Sequence, residues 1–216
     1  QIDVAGDLMV AVGLESLKAD ATVIQFYTGT PDPLKEFTLQ VGDWAQRMGL
    51  MEVKSFVLTD PDLLAWFSGD AIQAENAKSR TYSAARTTLQ VGLLEILSRN
   101  INAPKPLNLY EIGEVLALTP EQTVQESVFW SFASLDFKAS FATAKSYMQT
   151  MLKALNIPYQ LVACDDSRYI PGRGATVIVN QQPVGHFGEI HPEILNRFSF
   201  PEPICAGELN CQQLLT

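Results

Sequence analysis

The stretch "LNLYEIGEVLALTPEQTVQESVFWSFAS" (residues 107–134) decides the fold. Its halves, "LNLYEIGEVLAL" and "TVQESVFWSFAS", read as two long strands, and a turn at Thr119, Pro120 and Glu121 joins them as a hairpin. One position resists this reading. Glu111 stands mid-strand, where a charge costs free energy unless it is paired.

Working outward, "PLKEFTLQVGDWAQRMGL" places Leu34, Phe37, Val41, Trp44, Ala45 and Met48 at helical spacing, with Pro33 at its start and Gly49 at a C-cap position. "MEVKSFVL" alternates as a half-buried strand, with Met51, Val53, Ser55 and Val57 on one side. "TDPDLLAWF" starts a short helix capped by Thr59 or Asp60. Arg86 precedes a second long helix, "TTLQVGLLEILSRNI", and Phe141, Ala144, Met148, Met151, Leu152 and Leu155 mark a third. Beyond it, "YQLVAC", "ATVIVN" and "PICAGELN" read as strands, and "HPEILNRF" as a short helix. "PGRGAT" reads as a turn feeding an edge strand, with Arg173 free to pair with an acid. Strands grouped around a few long helices, without regular alternation, predict an α+β domain with a mainly antiparallel sheet.

Before Pro33 the pattern changes. A short helical piece spans about Gly6 to Leu17, followed by a strand-like "TVIQFY". Residues 1–20 read as the tail of a preceding domain with a linker, and residues 21–216 as the core domain. The chain begins with Gln, which suggests a mature product or a segment of a longer protein.

Fifteen basic against twenty-four acidic residues give a net charge of −9, so no general basic field collects nucleic-acid phosphates. Cys164, Cys205 and Cys211 are odd in number and form no CxxC pair, which fits a reducing compartment and a cytoplasmic location. No apolar run approaches the roughly 20 residues that span a bilayer, so no membrane partner is expected.

Both histidines fall in "VGHFGEIHPEIL" (residues 184–195). His186, Glu189 and His191 give an HxxExH spacing, short of the three or four ligands that zinc sites show. His191 precedes Pro192, so it is extended and leads the next helix. Glu189 and His191 are expected to satisfy backbone groups at a strand-to-helix corner, with His186 at a strand end. There is no GxSxG elbow and no phosphate loop of GxxxxGK[ST] type. Arg86 and Glu111 read as a structural ion pair or interface contact, with half of a ligand site as the other reading.

Taken in order, "PLKEFTLQVGDWAQRMGLMEVKSFVLT", the arginine-led helix ending in Asn before "LYEIGEV", and the run from "PGRGA" through "GEIHPE" to "AGELN" resemble the core of the phenylalanyl-tRNA synthetase β subunit of archaeal and eukaryotic-like type. The resemblance implies a class II aminoacyl-tRNA synthetase-like antiparallel β-sheet flanked by helices, without catalytic function. It implies an α subunit that carries the ATP, phenylalanine and tRNA acceptor-end chemistry, and an (αβ)₂ assembly with a second α–β pair. ATP and magnesium serve the full enzyme, with no cofactor in this segment. Contact with tRNA falls mainly, and editing of mischarged tRNA wholly, to other parts.

Measured against that pattern, the arginines that clamp ATP in class II sites are missing. "LYEIGEV" offers Glu111 instead, and "ELNCQQLL" has no arginine, so electrostatics opposes triphosphate binding. Of the family's acidic magnesium pattern only Asp7 and Leu8 remain, and Asp3 is at the wrong spacing. By resemblance the helix from Pro33 is an interface helix, with Phe37, Trp44 and Met48 as anchors and Arg99 and Asn100 as further cross-subunit candidates. Two other functions fit the residues less fully: a divergent paralogue acting as a ligand- or protein-binding module, and a hydrolase or metalloenzyme around His186, Glu189 and His191.

Overall fold

The computed structural model describes residues 2–13, 16, 27–67 and 71–215. The chain divides into two compact units, Gln1–Pro31 and Asp32–Thr216. In the first, helix α1 (Ile2–Val12) starts earlier than its periodicity predicts. Ile2, Val4, Leu8 and Val10 on it are all exposed. The strand expected at "TVIQFY" lies, except for Tyr27, outside the described residues.

The second unit opens with helix α2 (Pro33–Arg47), whose first turn is fixed by Asp32: its carboxylate accepts from the Leu34 amide at 3.0 Å. Pro33 fits the first position because no amide is needed there. Gly49, at φ +79°, follows the C-cap Met48 in the left-handed conformation that glycine adopts without steric cost. Strands β1 (Met51–Glu52) and β2 (Leu58–Thr59), helix α3 (Pro61–Leu64), strand β3 (Ala84–Ala85) and helix α4 (Gln90–Arg99) follow. Asp60 caps α3 by accepting from the Asp62 amide at 2.9 Å.

The predicted hairpin forms as expected. Strands β4 (Leu107–Leu118) and β5 (Val124–Leu135) pair antiparallel along their whole length. After helix α5 (Phe141–Ala154) come β6 (Gln160–Ala163), β7 (Tyr169–Val179), β8 (Gln182–Ile190), helix α6 (Pro192–Arg197), β9 (Ile204–Asn210) and helix α7 (Cys211–Leu215). They form a seven-stranded sheet in the order β1-β4-β5-β9-β8-β7-β6. Among the described residues only the β1–β4 pair is parallel. The α+β, mainly antiparallel expectation holds.

Two expectations about strands do not. The strand read over Met51–Leu58 shrinks to Met51 and Glu52 beside β4. Beyond Val53 side chains replace the ladder: the Lys54 ammonium donates to the Ile112 carbonyl and the Ser55 hydroxyl to Glu111. "PGRGAT" is no turn before an edge. β7 already begins at Tyr169, its register breaks between Tyr169 and Gly174, and it lies between β6 and β8. The edge is β6.

Alternation along the strands sorts the core into two layers. On one face Tyr110, Trp130, Phe132, Phe187 and Leu209 meet Val41 and Ala45 of α2 and Met148, Met151 and Leu152 of α5. On the other, Leu109, Ala133, Ala206 and Ile190 meet Leu93, Leu94 and Leu97 of α4, with Leu64 and Ile194. Each large side chain buried in this way stabilises the fold by about 1.5–3 kcal/mol.

Candidate functional site

On the α4 face a line of polar side chains crosses the sheet. Residues directly opposed in an antiparallel pair point to the same side. The register places Glu111 opposite Ser131, Ser131 opposite Glu208, Glu208 opposite His186 and His186 opposite Thr176. The row thus runs through β4, β5, β9, β8 and β7, beside the apolar row of Leu109, Ala133 and Ala206. No single segment of sequence contains it.

Glu111 and Glu208 have partners from the segments that lead into α4, and His186 has one from the start of β7. Over Glu111, Arg86 Nη1 donates to Oε1 at 2.7 Å and the Ser55 hydroxyl donates to Oε2 at 2.7 Å. Arg86 also donates from Nη1 to Ser55 Oγ at 2.9 Å and from Nε to the Glu114 carbonyl at 2.8 Å. Arg86 is 4% and Glu111 0% exposed. Gly113 makes room for the guanidinium, since a Cβ there would lie 2.3 Å from Arg86 Nη2.

Over Glu208 sits the start of α4. The carboxylate accepts from the Thr88 hydroxyl at 2.6 Å and from the Leu89 amide at 3.2 Å, and Thr88 Oγ1 in turn accepts from the Gln90 amide at 3.2 Å. Leu89, the N-cap, has no capping side chain of its own; the strand carboxylate and Thr88 supply the missing acceptors. Burial pushes the Glu208 carboxyl up to about 7, against the pull of Thr88 and Arg168.

Over His186 lies Tyr169. Gln90 Nε2 donates to the Tyr169 hydroxyl at 3.0 Å, and that hydroxyl meets His186 Nδ1 at 2.6 Å. Burial, reinforced by the Arg168 charge, holds the imidazole down to about 3, so it is neutral. Burial likewise raises the Tyr169 hydroxyl. Arg168 grips both Asp166 oxygens, from Nε at 2.9 and 3.0 Å and from Nη2 at 2.5 Å. Burial works against both charges, but these bonds outweigh it and keep Asp166 below the usual carboxylate range.

The other residues singled out in the sequence are dispersed. His186 lies within β8, not at a strand end. Glu189 takes Arg173 Nη1 at 2.8 and 3.0 Å across β7 and β8, so its partner is a side chain and not the backbone. His191 is the N-cap of α6, with Nδ1 accepting from the Glu193 amide at 3.3 Å. Phe37, Trp44 and Met48 are partly buried against the α2–α5 layer. Arg99 pairs with Glu95 at 3.8 Å on the surface of α4, and Asn100 closes that helix, donating to the Ile96 carbonyl at 2.8 Å. Asp7 is exposed on α1. No group of three or more His, Cys, Asp or Glu positioned to hold a metal occurs among the described residues.

Sequence reading passed over Thr88, Gln90, Tyr169 and Glu208. The last had a signal: in "ICAGELN" every residue is buried, and one of them is an acid. Chemically, the row is closed on itself. Arg86 is engaged by Glu111 and Arg168 by Asp166, while buried Glu208 is held by Thr88 and the Leu89 amide.

Comparison with known proteins agrees with this architecture. Residues 18–211 match the family described as "Phenylalanyl tRNA synthetase beta chain CLM domain". The phenylalanine–tRNA ligase beta subunit of Methanothrix thermoacetophila is 30% identical over 211 residues, covering 96% of this chain and 38% of the relative. That of Borrelia turicatae is 28% identical over 222 residues, covering 100% of this chain and 39% of the relative. The chain therefore spans about two fifths of the curated relatives it matches. Among solved structures, pyrrolysyl-tRNA synthetase from Desulfitobacterium hafniense superposes with a TM-score of 0.70 at 14% identity, over 84% of this chain and 68% of that one. The likeness fixes the fold as that of the class II synthetases. With a family match over nearly its whole length, the chain belongs to the phenylalanyl-tRNA synthetase beta chain CLM domain family.

Proposed function

We propose that the chain is a non-catalytic core of the beta subunit of a phenylalanine–tRNA ligase, acting as scaffold for an α subunit that attaches phenylalanine to its tRNA at the expense of ATP. The observation that carries this reading is the closed polar row. Arg86 and Ser55 lie on Glu111, and Thr88 lies on Glu208, where the sheet of an active synthetase would have to receive a nucleotide. Catalysis in this reading belongs to the partner, with ATP and magnesium held outside this segment.

The scaffold acts through its surfaces. α2 offers Phe37, Trp44 and Met48 at the edge of the core, and the end of α4 offers Arg99 and Asn100, as the contacts to the α subunit and to the second α–β pair. The uncovered apolar residues of α1 belong against a neighbouring domain of a longer subunit, as the tail that residues 1–20 resemble. tRNA is met chiefly by other parts of the enzyme, and the location is cytoplasmic.

Two measurements test the proposal. Light scattering of the chain mixed with a phenylalanyl-tRNA synthetase α subunit is expected to show a complex that Trp44→Ala combined with Phe37→Ala weakens. The chain alone is expected to give no phenylalanine-dependent exchange of pyrophosphate into ATP. Exchange by the isolated chain defeats the reading, and so does the absence of any complex.

A further inference from the structure

The strand-to-helix corner that carries His191 also encloses a cleft. It measures about 240 Å³ and lies between the end of β8, helix α6 and residues 200–203, which lead into β9. Ile170, Leu195, Phe200 and Pro203 supply apolar wall. Two carboxylates, Glu189 and Glu202, share the lining, and no basic residue joins them among the described residues.

Each acid has a base beside it, and each keeps acceptor capacity that this base does not use. Arg173 Nη1 reaches the two oxygens of Glu189 at 2.8 and 3.0 Å, one nitrogen for a carboxylate with about four acceptor sites. Lys105 Nζ reaches Glu202 Oε1 at 2.6 Å, and both of these side chains are only 13% exposed. Glu202 Oε2 is buried and has no partner. A carboxylate oxygen cut off from water without a donor destabilises the fold that holds it, so it calls for a donor that the chain does not supply. The ligand follows from charge and shape. An anion on this wall meets like charge, and a sugar sets its hydroxyls against hydrocarbon. An ammonium brings positive charge and three donors, and a short alkyl chain behind it gains by leaving water for the apolar wall.

We propose that this cleft binds a primary ammonium on a short hydrocarbon chain, the nitrogen donating to Glu202 Oε2 under the added charge of Glu189 and the chain lying along Ile170 and Leu195. The ammonium comes either from a free alkylamine or from a lysine side chain of a partner protein. The site is independent of the subunit contacts proposed above.

The test is an NMR titration of the chain with hexylamine, 1-hexanol, hexanoate and Nα-acetyl-lysine methylamide, following the methyl groups of Ile170 and Leu195. Saturable shifts with hexylamine are expected, with hexanol at least about tenfold weaker and hexanoate weaker still. Tighter binding of the lysine derivative at the same methyls identifies a lysine side chain as the source; equal or weaker binding identifies the free amine. Glu202→Gln, which keeps the shape and removes the charge, is expected to weaken hexylamine at least about tenfold. Leu195→Ala, which leaves both acids in place, is expected to weaken it about threefold or more. The proposal is overturned if hexylamine gives no saturable shift, if hexanol or hexanoate binds as tightly as hexylamine, or if a folded variant of either kind binds like the parent chain.

Discussion

Arg86 reaches down from the segment before α4 and meets Glu111 of β4 at 2.7 Å, with neither side chain more than 4% exposed. Two long-range elements are thereby joined by a charge pair that water does not reach. Removing one partner strands the other in the interior. Arg86→Ala or Glu111→Ala is expected to lower unfolding stability by about 3–5 kcal/mol, read from urea denaturation. Replacing both, as Arg86→Met with Glu111→Leu, is expected to cost far less. Single variants that lose under about 1 kcal/mol would remove the pair from the account of the fold.

Gly113 provides a second measure of the same contact. Its added Cβ would lie 2.3 Å from Arg86 Nη2 and 3.3 Å from Glu111 Oε1. Gly113→Ala is expected to destabilise by about 1–3 kcal/mol. In an Arg86→Met background the loss should shrink, because the obstructing atom has gone. A loss of equal size in both backgrounds would mean that the strain lies elsewhere.

Glu208 and His186 give the pH dependence opposite signs. The Glu208 carboxyl is raised from 4.5 to about 7. Between those values the native state keeps a proton that the unfolded chain releases, so stability falls as pH rises. His186 is lowered from 6.5 to about 3. There the unfolded chain takes a proton that the native state refuses, so stability falls as pH drops. The two contributions offset one another between about pH 4.5 and 6.5. Glu208→Gln is expected to remove only the first. Its stability relative to the parent should then rise by about 1.4 kcal/mol per pH unit from pH 4.5 to about 7. A constant difference across denaturation curves taken at pH 5, 6 and 7 would contradict this.

His191 carries a local role with a local consequence. Its Nδ1 accepts from the Glu193 amide at 3.3 Å at the head of α6. His191→Ala should cost about 0.5–2 kcal/mol, and His191→Asp should retain most of the stability. The thermal midpoints of the two variants measure this.

The elements legible in the sequence were those with a local cause. The β4–β5 hairpin declared itself by length and a turn, α2 by Pro33, its apolar spacing and Gly49, α3 by Asp60 and the proline after it, and α5 by its apolar stripe. Errors arose where tertiary partners override local pattern. Met51–Leu58 alternates like a strand, yet Lys54 and Ser55 turn their side chains onto β4. Tyr169 begins β7 across a register break that "PGRGAT" disguised as a turn. The polar row was illegible for a different reason. Glu111, Ser131, Glu208, His186 and Thr176 become neighbours only through strand order and register, and neither is written in any one segment. Glu111 announced itself as a charge in a strand, and His186 only as a member of the histidine cluster.

The seclusion of the Arg86–Glu111 contact sets how the molecule answers to ionic strength. Counterions screen charges in solvent and not those sealed beneath helix α4, so added salt leaves this pair as strong as before. What salt does reach is the mutual repulsion of a surface with a net charge of −9. The chain is therefore expected to become more stable from 10 to about 300 mM sodium chloride, and a midpoint that falls over this range would show that exposed ion pairs govern the fold.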